Sequence, residues 1–135
     1  MNNTIAIIPA RSGSKSITDK NIKLLSGHPL IAYSIAAAKL SKKIDRVIVS
    51  TDSQKYTEIA KQYGAEVPFI RPDKISIDTA IDRDFLIHAM NWFKENESSV
   101  PEYWVHLRPT TPLRSIEIID NAINEIMQDN NATSL

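Results

Sequence analysis

Cysteine is absent from the 135 residues, glycine occurs three times, and no apolar run approaches the length of a membrane span. The first absence excludes disulfides and thiolate metal sites and fits a reducing compartment. The scarcity of glycine excludes the dinucleotide fingerprint, because only Gly13 lies in the loop where that motif would fall. With no long apolar segment and no basic stretch over Met1 to Thr4, the expectation is a chain with neither a spanning helix nor a secretory leader. Charge excess is also lacking. Sixteen basic residues balance sixteen acidic ones, so no overall field draws the chain to nucleic acid or to an anionic membrane. Any anion must be bound locally, and the expectation is a cytoplasmic protein with neither nucleic acid nor membrane as a partner.

What is present is an alternation of short β-branched runs with longer stretches of helical period, the pattern of an α/β domain with a mostly parallel sheet. Thr4 to Ile8, Arg46 to Ser50 and Tyr103 to Leu107 read as strands, and Glu66 to Ile70 as a weaker one whose proline suggests an edge or a bulge. Pro29 to Leu40 is alanine-rich and apolar nearly all round, which suits a buried helix. Asp52 or Ser53 can cap a second helix that Gly64 ends, and Ser115 a last helix with Ile119, Ala122, Ile123, Ile126 and Met127 as its stripe. Thr79 and Asp82 read as a capping box before a helix burying Ile81, Phe85, His88, Ala89 and Trp92. The tryptophans and tyrosines read as core, as does His88, expected to be a hydrogen-bonded core histidine. His28, His88 and His106 show no metal-ligand spacing. The pattern calls for another strand at Ala132 to Leu135, so the expectation is one nucleotide-binding domain over residues 1–135, incomplete at its C-terminus.

In an open parallel sheet ligands sit beyond the carboxyl ends of the strands, which singles out the loops that leave them. The first, Ala10 to Lys23, carries Arg11, Lys15, Lys20 and Lys23 against the single acid Asp19. Gly13-Ser14-Lys15-Ser16 is not a Walker loop, since no glycine directly precedes the lysine. Even so, Gly13 and Ser14 can turn backbone N–H groups onto one oxygen, while Arg11 offers a fork and Lys15 a point charge to a polyphosphate. The alternative is a solvated surface loop. A later loop, LRPTTPLR from Leu107 to Arg114, stiffens Thr110 and Thr111 between prolines, as a substrate contact or as a rigid turn. Between them Ser50-Thr51-Asp52 needs no function, because capping accounts for Asp52.

Taken together, IPARSGSKSITDKNI, DRVIVSTD, RPDKISIDTA and LRPTTPLR, in this order, resemble the acylneuraminate cytidylyltransferases, the CMP-sialic acid synthetases. The resemblance covers essentially the whole chain and is specific only as the set of four. It implies a Rossmann-like three-layer sandwich of the nucleotide-diphospho-sugar transferase type, here its N-terminal part. It also implies an enzyme that joins the anomeric hydroxyl of a sialic-type sugar acid to the α-phosphorus of CTP, with Mg²⁺, releasing pyrophosphate. On that resemblance Arg11, Lys15, Lys20 and Asn21 hold the phosphates, with Ala10, Gly13 and Ser14 in the same loop, and Arg11 and Lys15 are the catalytic pair. Arg71 and Ala80 meet the cytosine, Asp82 stands near the ribose, and Arg108, Thr110 and Thr111 face the sugar acid. Arg108 departs from the glutamine frequent in sialic acid enzymes, which leaves legionaminate, pseudaminate or a related acid open. The family's Mg²⁺-binding aspartates and dimer residues fall in a later segment, so no metal ligand is expected here, a homodimer belongs to a full-length form, and the chain alone is expected to turn over weakly or not at all. The rivals are a 3-deoxy-manno-octulosonate-type transferase, a non-catalytic nucleotide-binding fragment, and an oxidoreductase, the last disfavoured by the glycine count.

Overall fold

The computed structural model describes residues 3–13, 17–77 and 79–134. In chain order its elements are β1 (Thr4–Pro9), a 3₁₀ turn (Lys20–Ile22), β2 (Leu24–Leu25), β3 (His28–Pro29), α1 (Leu30–Leu40), β4 (Arg46–Ser50), α2 (Gln54–Gln62), a second 3₁₀ turn (Asp73–Ile75), α3 (Asp82–Asn96), β5 (Tyr103–His106) and α4 (Ile116–Gln128). Among the described residues the main sheet has the order β4-β1-β5 and is parallel throughout, Ile7 pairing with Ile48 on one side and His106 on the other. All three strands therefore end at the same edge.

Period-two alternation in β1 makes the three layers. Ala6 and Ile8 face a core shared with Ile31 and Ile35 of α1, Tyr56 and Ala60 of α2, and Ile119 and Ile123 of α4. Ile5 and Ile7 point the other way, to Phe93, Phe85 and Ala89 of α3 and the half-buried Trp104. A strand covered on both sides by helices reads as a continuous apolar run, which is why IAII was visible as a buried strand. The small β2–β3 hairpin turns at Ser26 and Gly27, both with positive φ (51° and 85°), the form that tight two-residue hairpins require.

Four expectations need correction. Glu66 to Ile70 forms no strand: Glu66 makes one bridge to Ile48, and Pro68, with no N–H to donate, does not extend it. Thr79 and Asp82 do not cap α3; the N-cap is Ile81, whose N–H donates to Asp84 Oδ2 at 3.0 Å. Ile81 is itself exposed, and Phe93 rather than Trp92 completes the buried face. His88 is not satisfied, since its buried Nδ1 has no hydrogen-bond partner among the described residues; the ring lies edge-on to Phe69 at 4.8 Å. Ser53 and Ser115 do cap α2 and α4, accepting the N–H groups of Tyr56 at 3.2 Å and Ile118 at 3.4 Å. Gly64, at φ 95°, supplies the left-handed turn after α2.

Candidate functional site

Beyond the carboxyl edge of the sheet lies a cleft of about 690 Å³, its open mouth included, to which separate parts of the chain contribute. The loop after β1 brings Arg11, Gly13, Lys20 and Asn21, the segment before α3 brings Arg71 and Ala80, the start of α3 brings Asp82, and the loop after β5 brings Arg108 and Thr110. These residues are far apart in sequence and meet only because parallel strands deliver their loops to one edge. Ala10 does not line the cleft; it is fully buried, with its N–H donating to Ser50 O at 2.9 Å. Thr111 is exposed and outside the lining. Ser14 and Lys15 lie outside the described residues.

Each cation is held differently. Arg11 Nη1 donates to the Gly13 carbonyl, and the buried Asn21 donates its side-chain amide to the Arg11 carbonyl at 3.0 Å, closing the loop on itself. Arg71 is buried and fixed to the end of β4, its Nε donating to Ser50 Oγ at 3.1 Å and its Nη2 to Ser50 O at 2.9 Å. Its guanidinium also stands 5.1 Å from the Phe85 ring centroid. Burial pushes Arg71 down to about 10, opposed by Asp52 and Asp82 and reinforced by Arg11, so it keeps its proton at neutral pH. Arg108 reaches across the cleft to an ion pair with Asp82.

The loop after β5 owes its shape to Arg114, which sequence reasoning left without a role. Its Nε donates to Thr111 O at 3.0 Å and its Nη2 to Arg108 O at 2.5 Å, while Ser34 Oγ of α1 donates to the same Arg108 carbonyl at 3.2 Å. Also missed was the apolar wall of Ile75, Ile77, Ile81 and Phe85. Its one signal was the presence of isoleucines in an otherwise polar stretch. Asp52 caps nothing: it accepts the N–H and the hydroxyl of Ser12.

The described carboxylates do not form a Mg²⁺ cage. No group of three or more histidine or acidic side chains comes together among the described residues, and Asp52 and Asp82 are engaged with Ser12 and Arg108. A divalent ion prefers several oxygen ligands at once, which these separated acids do not offer.

The fold and the cleft define a parallel three-layer α/β domain with a candidate ligand site, lined by cations and an apolar wall, at the carboxyl edge of its strands. The family model described as cytidylyltransferase matches residues 5–134, and the chain belongs to that family. It is 42% identical over 119 residues to the N-acylneuraminate cytidylyltransferase of Escherichia coli O18:K1:H7, covering 88% of this chain and 27% of that protein. It is 39% identical to the CMP-N,N'-diacetyllegionaminic acid synthase of Legionella pneumophila, covering 88% of this chain and 51% of the relative. With the pseudaminic acid cytidylyltransferase of Campylobacter jejuni it shares 35% identity, covering 93% of this chain and 53% of that one. The chain thus spans about half or less of the length of these curated relatives. Among solved structures, CMP:2-keto-3-deoxy-manno-octonic acid synthetase complexed with CTP superposes with a TM-score of 0.80 at 18% identity, covering 96% of this chain and 49% of that one. At that identity the likeness establishes the fold: Rossmann-like, as expected from the four motifs.

Proposed function

We propose that this chain carries the nucleotide site of a cytoplasmic CTP-dependent cytidylyltransferase that converts a nonulosonic sugar acid to its CMP derivative. In that reaction the anomeric hydroxyl oxygen bonds to the α-phosphorus, the bond to the bridging oxygen breaks, pyrophosphate leaves and the hydroxyl proton passes to solvent. The observation that carries the reading is the convergence of Arg11, Lys20, Arg71 and Arg108 on one cleft from three separate segments. Such a site needs no covalent intermediate. It has to hold the nucleophile in line with the phosphorus and oppose charge growing on the phosphate oxygens.

In this reading Arg11, Lys15, Lys20 and Asn21 meet the phosphates with the Gly13 and Ser14 amides, Arg71, Ala80 and Asp82 border the nucleoside, and Arg108 and Thr110 face the sugar acid. Arg108 is suited to a carboxylate because its planar fork matches two oxygens. Mg²⁺ would be held by phosphate oxygens and water, the described side chains offering no cage, and would add positive charge at the phosphates. The relatives named for sialic, legionaminic and pseudaminic acids support a substrate among such acids and favour none of them.

Calorimetric titration of the chain with CTP, UTP, ATP and GTP in Mg²⁺ tests the nucleotide half of the reading. Selective binding of CTP is expected. A folded chain, verified by circular dichroism, that binds no nucleotide or prefers a purine would overturn it. Pyrophosphate release by a form of the length of the curated relatives, with N-acetylneuraminate, legionaminate, pseudaminate and 3-deoxy-manno-octulosonate, then ranks the acids.

A further inference from the structure

The loop after β1 is gripped from outside at two points. Asp52 Oδ1 accepts the Ser12 N–H at 2.8 Å, and its Oδ2 accepts the Ser12 hydroxyl at 2.9 Å. Tyr56, almost wholly buried, donates its hydroxyl to Asp19 Oδ1 at 2.8 Å. Ser12 directly follows Arg11, and Asp19 directly precedes Lys20. Both grips stand on one short piece of chain, since Asp52 follows the end of β4 and Tyr56 lies in the first turn of α2. Ser53 makes the helix cap, so capping explains neither contact.

We propose that Asp52 and Tyr56 are positioning residues that preset the loop after β1, and with it Arg11 and Lys20, before a nucleotide arrives. This rests on the nucleotide-binding reading above. Asp52 is itself unsuited to touch a phosphate, because like charges repel. Its two oxygens instead fix both the backbone and the side chain of Ser12, in charge-assisted bonds stronger than neutral ones. Burial and then the bond to Asp19 push the Tyr56 hydroxyl up, so it stays a donor through the neutral range. Asp19 sits in a left-handed conformation (φ 52°), which a short polar side chain tolerates when held by such a bond. Ordering a loop on binding costs affinity, and a loop ordered in advance avoids that cost.

The test uses the chain with Asp52→Ala, Asp52→Asn and Tyr56→Phe, reading CTP and inorganic pyrophosphate affinity by calorimetry, the unfolding midpoint, and amide exchange at residues 11–13 and 17–23. Ordering two freed side chains, Arg11 and Lys20, on binding costs affinity, so Asp52→Ala should weaken both ligands by about tenfold to a hundredfold. Asparagine keeps one acceptor for the Ser12 N–H and gains a donor for its oxygen, so Asp52→Asn should recover most of the affinity. Tyr56→Phe removes only a hydroxyl from a packed ring, so it remains folded and informative if Asp52→Ala does not fold; it should weaken binding by about threefold to tenfold. Affinities equal to those of the parent in Tyr56→Phe and Asp52→Ala, with only the midpoint lowered, would reduce both residues to fold stabilisers. An Asp52→Asn loss as large as that of alanine would make charge, not position, the cause and overturn the proposal. If the parent chain binds no CTP, the nucleotide reading fails, and amide exchange decides the positioning role alone. Faster exchange confined to 11–13 and 17–23 upholds it, and unchanged exchange sinks it.

Discussion

The two edges of the same sheet treat charge in opposite ways. At the amino edge Arg46, the first residue of β4, lies between two carboxylates: its Nε and Nη2 donate to Glu66 at 3.0 and 2.8 Å, and its Nη1 and Nη2 to Glu97 at 2.8 and 3.1 Å. It also stands 5.2 Å from the Phe93 centroid, and beside it Asp45 accepts the Thr4 N–H at 3.0 Å. At the carboxyl edge Asp52 and Asp19 are turned to a serine and a tyrosine, while Arg11, Lys20, Arg71 and Arg108 border a cleft. Pairing a cation with two acids makes structure. Placing two acids behind the loop, with Asp82 alone paired across the cleft to Arg108, leaves the cleft lined, among the described residues, by more cations than acids, which suits an incoming anion.

The largest effect should come from breaking the carboxyl edge. In a catalytically competent form of the length of the curated relatives, Arg11→Ala is expected to lower turnover of CTP with the sugar acid on the order of a hundredfold, the usual cost of losing one preorganised donor at developing charge. Its unfolding free energy should move by no more than about 0.5 kcal/mol, as for most surface substitutions. Steady-state kinetics beside urea denaturation measure both. Near-normal turnover would remove Arg11 from the mechanism, and a stability loss without a kinetic one would erase the contrast between the edges.

The amino edge should give the reverse result on a smaller scale. Arg46→Ala loses two partly exposed ion pairs, each worth up to about 1 kcal/mol, and a ring contact of about 0.5–1 kcal/mol, so a loss of about 1–2 kcal/mol is expected. CTP affinity should not change. A shift in affinity comparable to that of the carboxyl-edge variants would show that the two edges are coupled through β4.

The two edges also differed in how much of them could be read beforehand. Strand β1, the helix spans and the serine caps follow from local pattern, because β-branched runs, helical period and capping each act over a few residues. The loops of the cleft were found by the rule that parallel strands present them at one edge. What stayed hidden depends on partners distant in sequence. Asp52 already had an adequate local explanation, and only the fold shows that Ser53 takes the cap and leaves Asp52 to Ser12, 40 residues away. Arg114 had no role in the sequence reading and folds back onto the carbonyls of Arg108 and Thr111. Asp82 read as part of a cap and instead pairs with Arg108, because Asp84 already accepts the N–H of Ile81.

Acid should separate the edges by the pH at which each gives way, the smallest of the expected effects. His106, the last residue of β5, has its Nε2 buried without a hydrogen-bond partner among the described residues, and its ring meets Phe85 at 5.2 Å. Burial lowers its pKa, Asp82 opposes this, and Arg108 and Arg114 add to the lowering. The unfolded chain then takes up the proton near pH ~6.5 while the folded one resists, so this contribution is full above about 6.5 and is lost as pH falls through the lower folded value. Arg46 holds Glu97 below its ordinary value, so that contribution is present above about pH 4.3 and lost only in stronger acid. Urea midpoints taken from pH 7.5 to 3.5 should therefore show two declines, the first flattened in His106→Phe and the second in Arg46→Ala. If His106→Phe leaves the first decline intact, that decline belongs to His88, whose pKa is lowered by burial and then by Arg71, and the acid-sensitive element is α3 rather than the end of β5.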